Sequence, residues 1–269
     1  MTYIAILILG FGVWYLLSEV GRQIVFRSKR KRWPLKLPFT PVHSGKLTGV
    51  HLPAKPGQAT LLFFHGRGGN VSHFESFAAT YAPLGYGILL FDYRGFGISK
   101  GVPCQKNVEQ DALRAVRYAL DVLKIAPENL VLYGHSLGNA PALFAAHTFA
   151  NVPFKAVVLQ SPFLSTPDMA ASWAVHAYEP SGWKYRFVRA FVTPFLYFNR
   201  FDNTRLSGKL AGPVLVCFSK QDSTLPWQQS AKLADGISNV HRFLSPVGGH
   251  DEFSWAAQAV SQFLQEKSL

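Results

Sequence analysis

The pentapeptide Gly-His-Ser-Leu-Gly at residues 134–138 constrains the fold of this chain more than any other feature. It follows a short apolar run at 130–133 and leads into an alanine-rich segment with a helical pattern. A sharp turn from strand to helix holds the central serine in a strained conformation and exposes its hydroxyl, and the flanking glycines let strand and helix approach closely. The pattern therefore predicts that Ser136 is a nucleophile at the end of a buried strand.

Short apolar runs alternate with helical patterns along most of the chain, which is typical of a mostly parallel sheet flanked by helices. Runs this short and apolar suit strands that are buried on both faces. The predicted strands span residues 46–52, 60–64, 87–91, 130–133, 155–160, 214–218 and 240–244, and the predicted helices span 107–124, 137–150, 227–234 and 252–266. The fold class is therefore predicted to be α/β, with a mostly parallel central sheet.

The segment from Phe163 to Phe201 does not follow this alternation and is rich in aromatic residues. We predict that it belongs to a helical cap insertion at about residues 163–205, which covers the sheet. Substrate choice is expected to depend on this cap, although it carries no recognisable motif.

A serine hydroxyl is a poor nucleophile alone and needs a base, which in turn is oriented by an acid. The histidines after Ser136 are His147, His176, His241 and His250. His250 follows two glycines in a loop after the last predicted strand, where a catalytic histidine is expected. Asp222 lies in the loop after the preceding strand, which gives the order serine, acid, histidine. We predict that His250 is the general base and Asp222 its orienting acid; the alternative role of Asp222 is a helix cap.

An oxyanion in such a site needs two backbone donors. The first predicted donor is the amide of Leu137, directly after the nucleophile. The second is the amide of Arg67, in the glycine-rich loop at 65–70 that follows an earlier predicted strand. A phosphate-binding turn is the rival interpretation of this loop, but it lacks the Gly-Lys-Ser/Thr ending of a P-loop.

The sequence predicts no cofactor. No set of His, Cys, Asp and Glu has the spacing of a metal site, and no dinucleotide-binding fingerprint is present. The net charge is +12, but seven of the 27 basic residues lie between Arg22 and Lys36, and no nucleic-acid-binding module is visible. We therefore interpret the charge as juxtamembrane and predict no nucleic-acid partner. Cys104 and Cys217 are predicted to be free thiols.

The N-terminus has the pattern of a membrane anchor. Residues 3–17 are uncharged and apolar, and the basic cluster follows. We predict a transmembrane anchor at 1–21, a basic juxtamembrane segment and linker at 22–44, and the α/β domain at 45–269. A cleavable signal peptide and a buried helix are the alternatives. Because basic residues near the end of a span favour the cytoplasmic side, the domain is predicted to be cytoplasmic.

Several motifs together resemble a known family: His-Gly-Arg-Gly-Gly-Asn at 65–70, Phe-Asp-Tyr-Arg-Gly-Phe-Gly at 91–97, Gly-His-Ser-Leu-Gly at 134–138 and Gly-His at 249–250. Over about residues 45–265 the chain is similar to α/β-hydrolase-domain proteins with an N-terminal membrane anchor, which are related to serine aminopeptidases, monoacylglycerol lipases and palmitoyl-protein thioesterases. The resemblance implies hydrolysis of ester, thioester or sometimes amide bonds without a cofactor.

Three functions stay open at this point. The first is an esterase, lipase or thioesterase that acts on a small-molecule or lipid-like acyl substrate through Ser136, Asp222 and His250. The second is a peptidase on the same triad, for which Asp168 and Glu179 are the candidate amine-binding acids in the cap. The third is a non-catalytic binding protein on a hydrolase scaffold.

Overall fold

An eight-stranded sheet runs through the centre of the computed structural model, which describes residues 2–208, 210 and 212–266. The strands are β1 (Arg27–Ser28), β2 (Thr40–Ser44), β3 (Leu47–Leu52), β4 (Thr60–Phe64), β5 (Gly68–Gly69), β6 (Gly87–Asp92), β7 (Leu130–His135), β8 (Ala156–Gln160), β9 (Val214–Ser219) and β10 (Val240–Ser245). Within the described residues, β1 pairs only with β5. The central sheet has the order β10-β9-β8-β7-β4-β6-β3-β2, parallel from β10 to β6 and antiparallel at β3 and β2.

Helices cover both faces of this sheet, because each strand alternates its side chains between two cores. They are α1 (Thr2–Val25), α2 (Glu75–Tyr81), α3 (Gln105–Arg117), α4 (Asn139–Thr148), α5 (Thr166–Val175), α6 (Trp183–Val192), α7 (Thr204–Ser207), α8 (Trp227–Asp235) and α9 (Ser254–Glu266). Leu62 and Phe64 of β4 face the core shared with α3, α4 and α8, whereas Leu61 and Phe63 face the core of α2 and α9. The loops at the carboxyl ends of the parallel strands meet at one edge, where ligands bind in open α/β sheets.

The predicted α/β class is confirmed, and the predicted strands agree with the observed ones to within two residues. Two predicted helices differ from the observed ones. The helix predicted at 107–124 ends its α-helical part at Arg117 and continues as a π-helical turn over Tyr118–Val122. The helix predicted at 137–150 opens with a 3-10 turn over Ser136–Gly138, so that Pro141 falls in the first turn of α4, where its missing N–H has no partner to lose.

The aromatic segment after β8 is helical. It contains α5, α6 and a 3-10 turn at Tyr197–Asn199. The side chain of Ser165 accepts a hydrogen bond from the Asp168 amide and so caps the N-terminus of α5. Polar capping at this point explains why a chain segment that breaks the strand-helix alternation still forms a regular helix.

Helix α1 is longer than the predicted anchor, since it continues past residue 21 to Val25. Its last turn packs against the domain, where Val25 and Phe26 are buried in the main core. Residues 3–25 are long and apolar enough to cross a membrane, and only 6% of the most apolar window is buried, which distinguishes this segment from a core helix.

The segment predicted as a linker at 22–44 is largely built into the fold. Arg27–Ser28 forms β1, and Thr40–Ser44 forms the edge strand β2, which pairs antiparallel with β3. Residue 45, where the domain is predicted to begin, lies in the turn between β2 and β3, and Gly45 takes the positive φ of +61° that this turn requires. Met1 and residues 267–269, predicted as the ends of the anchor and domain, lie outside the described residues.

Candidate active site

Ser136 lies directly after β7, in the turn that the pentapeptide predicted. Its φ of +52° is the strained left-handed conformation that a non-glycine residue rarely adopts. A Cβ at Gly138 would overlap the carbonyl oxygen of Phe64, and a Cβ at Gly134 would lie 2.6 Å from the Cα of Asn139. The side chain of Asn139 donates a 2.8 Å hydrogen bond to the Ser136 carbonyl oxygen. The two glycines therefore permit the close approach, and Asn139 holds the strained turn.

The structure brings the three predicted side chains into one hydrogen-bonded chain. The Nε2 atom of His250 lies 2.9 Å from the Oγ atom of Ser136, and its Nδ1 atom lies 2.8 Å from the Oδ2 atom of Asp222. His250 follows Gly248, whose φ of +108° bends the loop after β10 back over the sheet edge. The other three downstream histidines lie in α4, after α5 and in β10. This arrangement has the connectivity of an acid, a base and a nucleophile.

The Asp222 carboxylate is shared between two tasks. Its Oδ1 atom accepts hydrogen bonds from the amides of Thr224 (2.9 Å) and Leu225 (2.8 Å), so it also stabilises its own loop. Burial works to raise the pKa of Asp222, but the hydrogen bond and charge of His250 and the Leu225 amide outweigh it, and the pKa lies below its usual value. Asp222 is therefore ionised at neutral pH and can hold a proton on the Nδ1 atom of His250.

His135 is a further site residue, which the sequence interpretation treated only as part of the pentapeptide. Its Nε2 atom lies 2.8 Å from the carbonyl oxygen of His250, and its ring is fully buried. Burial, together with the nearby His250, lowers the pKa of His135 to about 4. The ring is therefore neutral at pH 7, and its single N–H donates to that carbonyl because an oxygen can only accept. His135 thus fixes the backbone at His250.

The loop after β4 carries Arg67, the second predicted oxyanion donor. A Cβ at Gly66 would lie 3.4 Å from the Cβ of Ser136, so the loop passes directly beside the nucleophile. The predicted first donor, the amide of Leu137, opens the turn into α4 on the other side. This loop is held by β1, because the Arg27 amide donates to the Arg67 carbonyl (2.9 Å) and the Lys29 amide donates to the Gly69 carbonyl (3.2 Å).

The side chain of Arg67 joins three parts of the molecule. Its guanidinium donates a 2.9 Å hydrogen bond to the carbonyl oxygen of Ile24, in the last turn of α1. It also lies 4.2 Å from the ring centroid of Trp173 on cap helix α5, a cation–π contact. The Trp173 indole in turn donates to the carbonyl of Thr224, in the Asp222 loop. Helix α1, the loop at 65–70, helix α5 and the Asp222 loop are thus linked through two side chains.

The motif at 91–97, interpreted from the sequence as a structural turn, packs against the loop at 65–70 and stabilises it. Asp92 is fully buried, pairs with Arg32 and accepts a 2.7 Å hydrogen bond from the Val71 amide. The hydroxyl of Tyr93 donates to the carbonyl of His65 (3.1 Å). Asn70, which falls in a glycosylation-like triplet, is buried and donates to the carbonyls of Lys29 and Lys31. These side chains fix the loop and do not reach Ser136.

A cavity of about 450 Å³ opens onto Ser136 and His250. It is lined by the oxyanion loop, by Trp173 and Thr224, and by the charged residues Arg27, Lys29 and Asp251. His135, His250 and Asp251 could supply a metal with ligand atoms that lie within 4.8 Å of one another. The ring nitrogens of His250 are already engaged by Asp222 and Ser136, so the cluster is better suited to proton transfer than to metal binding.

Comparison with known proteins identifies the family of this chain. The sequence model of the alpha/beta hydrolase fold matches residues 59–196, just over half of the chain. The chain belongs to the alpha/beta hydrolase fold family. It is 31% identical over 231 residues to the uncharacterized protein YfhR of Escherichia coli, a match that covers 80% of this chain and 73% of YfhR.

Two further comparisons concern proteins with named activities. The chain is 30% identical over 225 residues to the lysophosphatidylserine lipase ABHD12 of Danio rerio, which covers 77% of this hydrolase and 57% of ABHD12. The structure of an esterase from Pyrococcus furiosus superposes with a TM-score of 0.65 at 17% identity, and covers 90% of this chain and 97% of that one. The second similarity concerns the fold alone. The predicted resemblance to the α/β hydrolases is confirmed.

Proposed function

We propose that this hydrolase cleaves carboxylic ester or thioester bonds through Ser136, His250 and Asp222, by way of an acyl-enzyme. The observation that carries the proposal is the continuous hydrogen-bonded chain from Ser136 Oγ through both ring nitrogens of His250 to Asp222 Oδ2. The low pKa of Asp222 supports it, because an ionised carboxylate stabilises the imidazolium that forms when His250 takes the serine proton.

In the first half of the reaction, Ser136 Oγ attacks the carbonyl carbon while its proton passes to His250 Nε2. The amides of Leu137 and Arg67 donate hydrogen bonds to the negative oxygen of the tetrahedral intermediate. The carbon–oxygen or carbon–sulfur bond then breaks, and the leaving alcohol or thiol takes the proton from His250. The acyl group stays on Ser136 as an ester.

In the second half, water takes the place of the leaving group. His250 Nε2 removes one proton from the water as its oxygen attacks the acyl carbon, and a second tetrahedral intermediate uses the same two amides. Collapse of this intermediate returns the proton to Ser136 Oγ and releases the carboxylic acid. The enzyme is regenerated, and the net reaction consumes one water for each ester.

The apolar surfaces of the cap and of α1 support an acyl substrate of lipid character. The cap exposes large aromatic side chains, and one of these, Phe198, lies 5.1 Å from Trp14 of α1 between ring centroids. The apolar surfaces of cap and anchor are therefore continuous, and a surface of this kind is typical of a membrane or lipid contact. The exposed aromatic residues of the cap are Trp183, Phe187, Phe191, Tyr197 and Phe198. The name of the relative ABHD12, a lysophosphatidylserine lipase, points in the same direction.

We further propose that α1 anchors the protein in a membrane with the hydrolase domain on the cytoplasmic side. The basic residues that follow α1 support this side. In the cell, we expect the full chain to stay with the membrane pellet after alkaline carbonate extraction and the domain to be digested by protease only when the cytoplasmic face is exposed. Release by carbonate, or digestion from the opposite face, would contradict the anchor or the orientation respectively.

A peptidase on the same triad receives no support from the cap. The Asp168 carboxylate accepts hydrogen bonds from Arg189 (2.5 Å) and Tyr185 (3.0 Å), so its charge is already neutralised inside the cap. Glu179 does not line the cavity at Ser136. The one carboxylate among the described lining residues of that cavity is Asp251, which lies outside the cap and 3.8 Å from His135 Nε2.

The direct test is covalent labelling of the full chain in detergent with a fluorophosphonate probe, followed by mapping of the adduct. We expect labelling at Ser136, complete loss in Ser136→Ala, and no change in Ser76→Ala, which removes another hydroxyl from the same cavity. A series of p-nitrophenyl esters then measures chain-length preference. A folded wild-type protein that takes no label, or takes it elsewhere, contradicts the proposal.

A further inference from the structure

Two basic side chains of the juxtamembrane segment line the cavity at Ser136. Arg27 opens the short strand β1, and Lys29 follows directly after this strand. Both are lining residues of the 450 Å³ cavity. Their backbone amides donate to the carbonyls of Arg67 and Gly69, so the segment that carries these cations is held against the loop at 65–70.

Three neighbouring arginines of this segment are already engaged. Arg22 pairs with Glu19, Arg32 pairs with Asp92, and Arg30 donates to the carbonyls of Ser99 and Gly101. By contrast, neither Arg27 nor Lys29 has an ion pair or a side-chain hydrogen bond within residues 2–208, 210 and 212–266. Lys31 lies 4.6 Å from the ring centroid of Trp33, and neither Lys31 nor Lys36 lines the cavity, whereas Arg27 and Lys29 do.

The charge of the cavity is unbalanced. Arg67 adds a third cation, and Asp251 is the one carboxylate among the described lining residues. Burial and the charge of Arg27 lower the pKa of Arg67 to about 10, and burial and the charge of Lys29 lower the pKa of His73. The cations around this cavity therefore repel one another, and a bound anion would relieve that repulsion.

We propose that Arg27 and Lys29 form an anion-binding subsite beside Ser136, so that the preferred substrates are acyl esters with a phosphate or carboxylate group near the scissile bond. This proposal rests on the proposed hydrolase function and names its substrate class. Arginine and lysine are suited to such groups because charge-assisted hydrogen bonds to oxyanions are short and strong. The acyl chain would then lie along the cap, and the anionic part would face β1.

An anionic ester can come from two sources, a lipid headgroup or a soluble phosphoester. Arg27 lies two residues after the end of α1, which brings the subsite close to the surface of any membrane that α1 crosses. A lysophospholipid could therefore present its phosphate there. A short-chain acyl glycerol phosphate would offer the same group from solution, so both sources are included in the test.

The test uses the full chain in detergent micelles and substrates that differ only in the phosphate. Long-chain 1-acylglycerol phosphate is compared with the monoacylglycerol of the same chain, and butyrylglycerol phosphate with butyrylglycerol. The variant is the double substitution Arg27→Gln and Lys29→Gln, which leaves the backbone pairing of β1 intact. The matched control, Lys232→Gln with Arg242→Gln, removes two charges that pair with Asp235 away from the cavity.

We expect the wild type and the control to prefer the phosphate-bearing ester by about tenfold or more in kcat/KM, which is about 1.4 kcal/mol or more. The double variant should lose most of this preference and keep its activity on the neutral ester. A preference in the long-chain pair alone identifies a lipid headgroup, and a preference in both pairs identifies the phosphoester itself. Equal kcat/KM for charged and neutral esters in the wild type, or an equal loss on both in the variant, overturns the subsite.

A binding measurement separates this proposal from the hydrolase function. Inorganic phosphate at millimolar concentration should raise the thermal unfolding midpoint of the wild type, and not that of the double variant, since a ligand stabilises the state that binds it. If Ser136 is labelled by the fluorophosphonate but phosphate gives no shift, the subsite fails and the hydrolase function stands. If phosphate raises the unfolding midpoint but Ser136 takes no label, the anion-binding subsite stands and the proposed hydrolase function fails.

Discussion

Arg32 forms an ion pair with Asp92, whose carboxylate has no exposed surface and lies beneath the loop that carries Arg67. The pair connects the juxtamembrane segment to the active-site edge of the sheet. Burial raises the pKa of Asp92 even though Arg32 and the Val71 amide act to lower it. The arginine therefore compensates a charge that the fold has placed out of water.

Replacing Arg32 by alanine should lower the free energy of unfolding by roughly 3 kcal/mol at pH 7, because it leaves a buried carboxylate without its partner. Asp92 would then keep a proton in the folded state at pH values where the unfolded chain has lost it. The difference in the free energy of unfolding between the wild type and Arg32→Ala should consequently become smaller as the pH falls from 7 towards 4. Urea unfolding at several pH values measures this, and a deficit that is independent of pH would show that lost packing is the cause.

The segment before β2 should be needed for activity as well as for attachment. A chain that begins at residue 24 keeps the Ile24 carbonyl, β1 and Arg32, whereas one that begins at residue 38 loses all three. We expect the first to react with a fluorophosphonate like the full chain, and the second to react poorly and to unfold at lower temperature. Equal labelling of both would mean that β1 is dispensable for the oxyanion loop.

Asp222→Asn separates the two tasks of this carboxylate. The asparagine carbonyl can still accept from the amides of Thr224 and Leu225, so the loop and the stability should change little. Its NH₂ group would donate to His250 Nδ1 and so favour the tautomer with the proton on Nε2. In that tautomer Nε2 cannot take the proton of Ser136. We expect kcat for a p-nitrophenyl ester to fall by about 10⁴. A loss below about tenfold would argue that another acid supports His250.

Gly138→Ala should prevent the native elbow from forming. Its Cβ would overlap the carbonyl oxygen of Phe64, a backbone atom of a central strand that cannot move aside. Gly12→Ala is the matched control, since no heavy atom lies within 4 Å of a Cβ at that position in α1. We expect the first variant to be insoluble or inactive and the second to be unchanged. Circular dichroism measures folding and fluorophosphonate labelling measures the reactivity of Ser136. A Gly138→Ala variant that folds and is labelled normally would contradict the observed approach of turn and strand.

Two buried histidines should make the protein less stable in acid. Burial is the main cause that lowers the pKa of His65 to about 3 and that of His135 to about 4. Between these values and about 6.5, the pKa of an unfolded histidine, the unfolded chain binds more protons, so stability rises with pH and is lost as pH falls through this range. The glutamine in His135→Gln can still donate a hydrogen bond to the carbonyl oxygen of His250, but it has no titratable group. Its stability should depend less steeply on pH, by up to about 1.4 kcal/mol per pH unit; an unchanged slope would refute the assignment.

The sequence by itself determined the elements that depend on local pattern. Buried parallel strands are short and continuously apolar, so the runs at 60–64 and 214–218 could be recognised without any knowledge of their neighbours. The turn around Ser136 was equally predictable, because only glycine tolerates the contacts that flank it. From the positions of Asp222 and His250 after successive strands, their approach to Ser136 also followed.

Only the tertiary structure decided the partners of side chains far apart in the chain. The basic residues after α1 looked like a uniform cluster, because a charge run carries no sign of which members meet an acid, a carbonyl or a cavity. Folding engages Arg22, Arg30 and Arg32 and leaves Arg27 and Lys29 lining the cavity at Ser136. The role of β1 was hidden for the same reason: a two-residue strand has no periodicity to detect, and it exists only because the oxyanion loop offers its carbonyl oxygens.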